Sequence, residues 1–370
     1  VAKDSLVAAL TPPADKEPSG RAVSPTFPLV RYVPSTPSRT HAAEGIWRFR
    51  ASLPDLPEIT LGEGSTPLLE LARVAADAGG GRLFAKLESA NPTGSFKDRG
   101  SAMVAAAARR ANATHLALAS TGNAGASQAA YAARAGLRLT VAVPRSTDPG
   151  KLWQMRAHGA EIMMVDGDFA DCDAAYKALV DTGHFAAGTS NPYRQEGAKT
   201  LAYELFEQHG ASIGRVIAPC GTGGLIVALG KGFAEIAASV PGFKAPAIDV
   251  VQLEALMPLS GPDASRKVVA TAATGINIAN PSMRESVVRI VKESGGIIHS
   301  VSEEELLAAQ TSLAKKEGVG AEPTASVTVA AYGRARREGR IGAGEVVVAI
   351  VTGHILKAPV QVIERRAGPR

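Results

Sequence analysis

The chain has 370 residues, enough for one large domain or two medium ones with an ample core. Its apolar and charged fractions, 45% and 20%, are those of a globular protein, and a net charge of +5 without any Lys/Arg block interleaved with aromatics excludes nucleic acid as a partner. Cys172 and Cys220 form neither a disulfide framework nor a zinc spacing, no apolar run reaches membrane-span length, and Val1 opens no secretory signal; the expectation is a cytoplasmic protein with no metal and no membrane contact.

Residues 1–43 hold Pro12, Pro13, Pro18, Pro25, Pro28, Pro34 and Pro37 with few periodic apolar positions, and predict an arm rather than a core element. Glu44–Arg50 reads as a short helix with aromatic anchors, and Leu61–Leu68 as a loop punctuated by Gly and Pro. The stretch from Lys86 to Gly100 then reads as a short strand, a turn at Asn91–Gly94, a Ser95 cap and an alanine-rich helix over about 96–111. Strands follow at 116–119, 139–143, 161–165, 185–186, 216–218 and 248–253. They alternate with helices at 124–135, 149–158, 169–181, 195–209 and 224–238. Such alternation predicts parallel sheets with right-handed crossovers, and its length predicts two α/β domains. A last apolar strand runs from Val346 to Val351, and Pro323 suits the first position of a helix.

Four places on this frame could carry chemistry. Lys97 falls in the first turn of its helix, where the dipole disfavours a cation. It is either a solvated lysine reaching away or an amine biased toward its neutral, carbonyl-condensing form. In open α/β sheets ligands bind beyond the carboxyl ends of strands. Ser120-Thr-Gly-Asn-Ala-Gly125 lies at such an end and offers hydroxyls, an amide and helix-terminal N–H groups, which suit a carboxylate or phosphate or make an ordinary capped turn. Cys220-Gly-Thr-Gly-Gly-Leu225 lies at another. It fails the dinucleotide fingerprint, because Ile226 stands where a third Gly is needed, and it lacks the Lys of a P-loop. A single phosphate on converging N–H groups fits it, with Cys220 as a packed residue. Thr352-Gly-His-Ile-Leu-Lys357 follows the last strand, with His354 read as a structural hydrogen-bonding group.

Asn91-Pro-Thr-Gly-Ser-Phe-Lys-Asp-Arg99 resembles the active-site segment of pyridoxal-phosphate enzymes of fold type II, the tryptophan-synthase-β-like family. Trp47-Arg-Phe49, Leu61-Gly-Glu-Gly-Ser-Thr-Pro-Leu68, Asn191-Pro-Tyr-Arg-Gln-Glu-Gly-Ala-Lys-Thr200, the Gly318–Ser326 stretch and Thr352–Lys357 are similar, in the same order, to segments of threonine synthases. The resemblance implies two three-layer α/β domains with mostly parallel sheets and pyridoxal 5'-phosphate in the interdomain cleft. The expected division is a large cofactor domain over 44–101 and 196–365 and a smaller one over 102–195. It further implies that Lys97 holds the cofactor as a Schiff base and moves substrate protons. Asn123 would bond the cofactor's 3′ oxygen, Gly221, Thr222, Gly223 and Gly224 its phosphate, and Thr352 its pyridine nitrogen. Ser120, Thr121, Gly122 and Asn123 would take the substrate carboxylate, and Arg194 the phosphate of O-phosphohomoserine, through paired guanidinium hydrogen bonds.

The expected activity is a lyase reaction that makes threonine from O-phosphohomoserine and water, in a homodimer acting on a small amino-acid substrate. Arg194 and Thr352–Lys357 favour it. Ala124 and Leu225 depart from the threonine synthase pattern and favour a serine/threonine ammonia-lyase or a cysteate-synthase-like β-replacement enzyme of the same fold. A catalytically inert scaffold is the third reading, and the intact Lys97, Asn123, glycine loop and Thr352 speak against it.

Overall fold

The structure is a computed structural model and describes residues 30–33, 45–147, 149–260 and 267–358. The chain divides into two units. The first takes Thr66–Ala90 and the described residues from Leu201 onward, with 30–33; the second takes 45–65 and Asn91–Thr200. In chain order the strands are β1 (Leu68–Glu70), β2 (Arg82–Lys86), β3 (His115–Ala119), β4 (Arg138–Pro144), β5 (Glu161–Val165), β6 (Phe185–Ala186), β7 (Arg215–Pro219), β8 (Ala247–Leu253), β9 (Ile298–Val301) and β10 (Val346–Ile350). The helices are α1 (Ala72–Asp77), α2 (Lys97–Arg110), α3 (Asn123–Ala135), α4 (Pro149–Ala157), α5 (Phe169–Asp181), α6 (Pro192–Ala198), α7 (Thr200–His209), α8 (Gly224–Ser239), α9 (Arg284–Ser294), α10 (Glu303–Ser312) and α11 (Pro323–Arg337).

The first unit is built on a six-stranded sheet in the order β1-β2-β10-β7-β8-β9. Every pair is parallel except β1 with β2. Its central strands, Val346-Val-Val-Ala-Ile350 and Arg215-Val-Ile-Ala-Pro219, are buried along their whole length, as strands with both faces covered must be. The second unit holds the parallel sheet β5-β4-β3-β6. This is the alternating, mostly parallel α/β architecture that the sequence predicts.

Alanine sets the packing of the second unit. Residues Ala102–Ala108 of α2 are at most 4% exposed, and Ala126, Ala129, Ala130 and Ala132 of α3 join the same core. Small side chains let the helices approach closely. At one place the backbones themselves touch: a Cβ on Gly197 of α6 would run into the carbonyl oxygen of Arg99, and one on Gly100 would sit 3.0 Å from the carbonyl oxygen of Arg194. This contact carries α2 into the second unit, whereas the sequence reading placed residues up to 101 with the larger domain.

Three local differences have simple causes. The helix expected over 195–209 is two, α6 and α7, joined at Lys199, with Thr200 Oγ1 donating to Gly197 O at 2.6 Å. Residues 284–312, for which the sequence carries no periodic expectation, fold into α9, β9 and α10. The proline-rich arm falls outside the described residues except for 30–33. Here Tyr32 is 2% exposed and packs its ring 4.9 Å from that of Tyr203, a core placement its surroundings in sequence do not announce.

Glu63 is fully buried in the second unit, its Oε2 accepting from Thr60 Oγ1 at 3.0 Å, Leu61 N at 3.0 Å and Tyr131 Oη at 2.8 Å. Burial raises its carboxyl above the ordinary range, outweighing those hydrogen bonds. The folded state therefore holds this proton more tightly than the unfolded chain. The associated stability is present below the ordinary value of 4.5 and is lost as pH rises through the raised one. Glu63→Gln should flatten that fall, read as denaturant midpoints measured from about pH 4.5 to neutrality; an unchanged pH slope would refute it. Gly197→Ala should destabilise the second unit by about 1–3 kcal/mol, because neither backbone can retreat. Urea unfolding followed by circular dichroism measures this, and a change within about 0.5 kcal/mol would show that α2 and α6 part easily.

Candidate active site

Lys97 is the first residue of α2, half-buried, with Nζ 4.3 Å from the centroid of the Phe96 ring. The preceding turn closes through Gly94 N donating to Asn91 O at 2.8 Å, with Gly94 at φ 82. Ser95 does not cap the helix as expected. The N-cap position is Phe96, and Ser95 Oγ is buried with no hydrogen-bond partner among the described residues. Asp98 holds the turn instead, from inside the helix: its carboxylate accepts from Thr93 N at 2.7 Å and Thr93 Oγ1 at 2.5 Å. An acidic residue in the first turn also suits the helix dipole.

The loop after β3 is tied by Ser120, whose Oγ accepts from Gly125 N at 3.0 Å and Gly122 N at 3.3 Å. Gly122 occupies the N-cap of α3 without a side-chain cap, so Asn123 opens the helix, half-buried. In the same turn Thr121 is half-buried and Gly122 exposed. Ser120 thus shapes the loop, and its neighbours present what it offers to a ligand.

Arg194 lies on α6, whose start is made by Asn191 capping Tyr193 N and by Pro192 at the first position. It is 8% exposed. Nε donates to Ala187 O and Gly188 O at 3.2 and 3.1 Å, and Nη2 to Ala187 O and Gln128 Oε1 at 2.7 and 2.9 Å. Nη1 donates to Ser101 Oγ at 3.3 Å. Four of its five N–H groups are engaged, every acceptor is neutral, and no carboxylate pairs with it among the described residues. Desolvation lowers its pKa to about 10, which leaves a cation that no described carboxylate neutralises.

In the first unit, the loop after β7 runs into α8 with Gly223 as N-cap at φ 100. The backbone N–H groups from Gly221 to Gly224 meet no protein acceptor among the described residues. Side chains are excluded from this cradle by its walls: a Cβ on Gly221 would stand 2.5 Å from Gly275 O, and one on Gly223 would meet Met283 and Val287 at 2.9 and 2.7 Å. Open N–H groups at the start of a 16-residue helix make an anion site, and Thr222 completes the turn, its carbonyl accepting from Met283 N at 3.1 Å. Cys220 is 2% exposed, and burial pushes its thiol up to about 12, so it is a packing residue rather than a nucleophile.

Thr352 follows β10 and is 2% exposed, with Oγ1 lacking any partner among the described residues. Its neighbour Gly353 is needed because a Cβ there would collide with the Glu322 carboxylate, and Glu322 N donates to Gly353 O at 2.9 Å. His354 is structural: its Nδ1 accepts from Leu356 N at 3.2 Å and caps the short turn that follows. The orphaned Thr352 hydroxyl costs about 1–3 kcal/mol unless something other than protein meets it.

Sequence reasoning passed over Gln128 and Ser101, which hold Arg194, and Asp98, which braces the turn before Lys97. The signal was present for Gln128, a long polar side chain inside the alanine run of α3.

Residues 59–353 match the family model described as "Pyridoxal-phosphate dependent enzyme". The threonine synthase of Methanosarcina acetivorans is 37% identical over 330 residues, covering 86% of this chain and 82% of that one. The threonine synthase of a Bacillus species is 39% identical over 305 residues, covering 82% and 86%. Among solved structures, a threonine deaminase from T.th. superposes with a TM-score of 0.66 at 27% identity over 78% of this chain and 92% of that one. A fungal L-serine ammonia-lyase from Rhizomucor miehei shares the fold, with a TM-score of 0.71 at 20% identity over 82% and 98%. The matched span covers most of the chain, Lys97, the glycine cradle and the orphaned Thr352 among it, and the chain belongs to the pyridoxal-phosphate-dependent enzymes.

Proposed function

We propose that the protein is a threonine synthase, releasing phosphate from O-phosphohomoserine and adding water to give threonine. The observation that carries this reading is Arg194, a buried guanidinium without a carboxylate partner among the described residues. Such a cation is costly unless a ligand brings the counter-charge. A phosphate monoester does so. The carboxylate common to all amino-acid substrates is assigned to the Ser120–Asn123 loop, so Arg194 would be surplus in an enzyme acting on serine or threonine alone.

The cofactor's phosphate would be held by the Gly221–Gly224 cradle, with Thr222 in the same turn, its ring nitrogen by the unpartnered Thr352 hydroxyl and its 3′ oxygen by Asn123. When bound, pyridoxal phosphate supplies the electron sink for charge that develops on the substrate carbons. Thr352, a neutral hydroxyl rather than a carboxylate, keeps that sink moderate and favours elimination and replacement over amino-group transfer. Lys97 would hold the cofactor, and its amine would take and return protons at the substrate's Cα, Cβ and Cγ. Asp98 keeps the turn before it fixed. Arg194 steadies the departing phosphate and carries the charge that the leaving group gains.

A serine/threonine ammonia-lyase is the second reading, favoured by Ala124, which brings only a methyl to the start of α3. The family resemblance supports a homodimer and a cytoplasmic location; among the described residues no helix is long and apolar enough to cross a membrane.

Holoenzyme given O-phosphohomoserine should release phosphate and threonine in equal amounts, and Lys97→Ala should abolish both. Arg194→Gln should raise the KM for O-phosphohomoserine by at least about 30-fold. Formation of 2-oxo acid from serine or threonine, with O-phosphohomoserine untouched, would overturn the proposal. Thr352→Val should leave the cofactor-free protein as stable or up to about 1 kcal/mol more stable, since an unsatisfied hydroxyl disappears. The same change should weaken cofactor binding several-fold and shift the visible band of the holoenzyme. Loss of apo stability with unaltered cofactor binding would make Thr352 structural.

A further inference from the structure

Gln128 is fully buried on α3, and its side-chain nitrogen has no hydrogen-bond partner among the described residues. The orientation of the amide is fixed by its neighbour. Arg194 can only donate, so the atom 2.9 Å from its Nη2 must be Gln128 Oε1, and the NH2 group must face away from that bond. Two donor groups are thus left over on the paired side chains in the second unit: the NH2 of Gln128 and the remaining N–H of Arg194 Nη1. No acidic side chain pairs with either among the described residues. Ser101 Oγ, the nearby hydroxyl, already accepts from Arg194 Nη1 and from Ser127 Oγ at 2.8 Å. Ala124, one turn earlier on the same face of α3, adds no donor. A fully buried amide with an empty NH2 beside an uncompensated guanidinium is an unfinished site for an oxyanion.

We propose that Gln128 is a specificity-determining residue of the reaction: its amide NH2 donates to the phosphate of the substrate and, with Arg194, forms the leaving-group site. Gln128 Oε1 meanwhile holds the guanidinium in place, so one side chain both orients the cation and extends its donor set. The inference rests on the reading of Arg194 as the phosphate residue.

The test uses the holoenzyme. Gln128→Ala should raise both the KM for O-phosphohomoserine and the inhibition constant of inorganic phosphate by about tenfold, with kcat changed less than about threefold. Gln128→Glu, which keeps the shape but places a carboxylate beside Arg194 and against the substrate, should raise both further. Gln128→Met, which preserves the buried volume, replaces the alanine variant should that one fail to fold. A second readout needs no turnover: phosphate should raise the thermal midpoint of the wild type, and less so that of the Gln128 variants. Unchanged KM and phosphate affinity in Gln128→Ala would overturn the proposal, and so would a fall in kcat alone. Failure of the underlying reading looks different: neither the wild type nor any variant would respond to phosphate, and Arg194→Gln would be silent as well.

Discussion

The contact between the backbones of α2 and α6, through Gly100 and Gly197, is the constraint on which the second unit depends. Gly197 has no room for a methyl group and Gly100 has little, so the distance between the helices is set mainly by main-chain atoms. Lys97 opens one of these helices and Arg194 sits on the other, three residues before Gly197. The two are therefore held in a fixed relation by the stiffest part of this unit. The same contact explains why Arg99 can be fully buried, with Nη1 3.1 Å from Thr200 Oγ1: it lies where the chain leaves α6 for α7. Preorganisation of this kind matters in catalysis because misplacement by about 1 Å can cost two orders of magnitude in rate.

Buried charge is handled in two ways. In the first unit Lys86 pairs with Glu204 at 2.7 Å, Lys231 with Glu235 at 3.4 Å, and Arg215 with Asp249, which also faces His299 Nε2 at 2.6 Å. In the second unit Lys199 lies against Glu196. Each of these cations has a carboxylate within reach, the ordinary condition for a charge inside a protein. Arg194 differs, with backbone carbonyls, a hydroxyl and an amide around it. A fold that pairs these other cations with carboxylates and leaves this one to neutral acceptors leaves a positive charge that, under the proposed function, the substrate phosphate would balance.

What could be read from the sequence, and what could not, divides along the same physical lines. The strand–helix alternation was legible because strands such as 346–350 are apolar on both faces. The loop at 221–224 was legible because successive glycines separate an apolar strand from a helix. The helix cap at Lys97 was misread because Ser95 and Asp98 are both capping residue types three positions apart, and only the fold decides which of them serves. The domain boundary was misplaced because the partner of Gly100 is far along the chain, on α6, in a segment that looks like any helix start. Gln128 is a polar residue in an alanine run and was passed over, because its meaning requires knowing that Arg194 lies against it.

The two anion sites are also built differently, and the difference matches what each must do under the proposed reaction. A cradle of backbone N–H groups at a helix start binds phosphate through fixed dipoles that cannot rearrange, which suits a cofactor that stays. Under that reaction the site at Arg194 would take a substrate phosphate and release it as product in every cycle. A guanidinium with all its donors open would hold that product tightly and slow its release. Committing most of them to Ala187, Gly188, Gln128 and Ser101 tempers the site, fixes its direction, and leaves the last N–H and a neutral amide to recognise the anion. In the proposed reaction the charge would attract the phosphate, and the preassigned hydrogen bonds would limit how strongly it is kept.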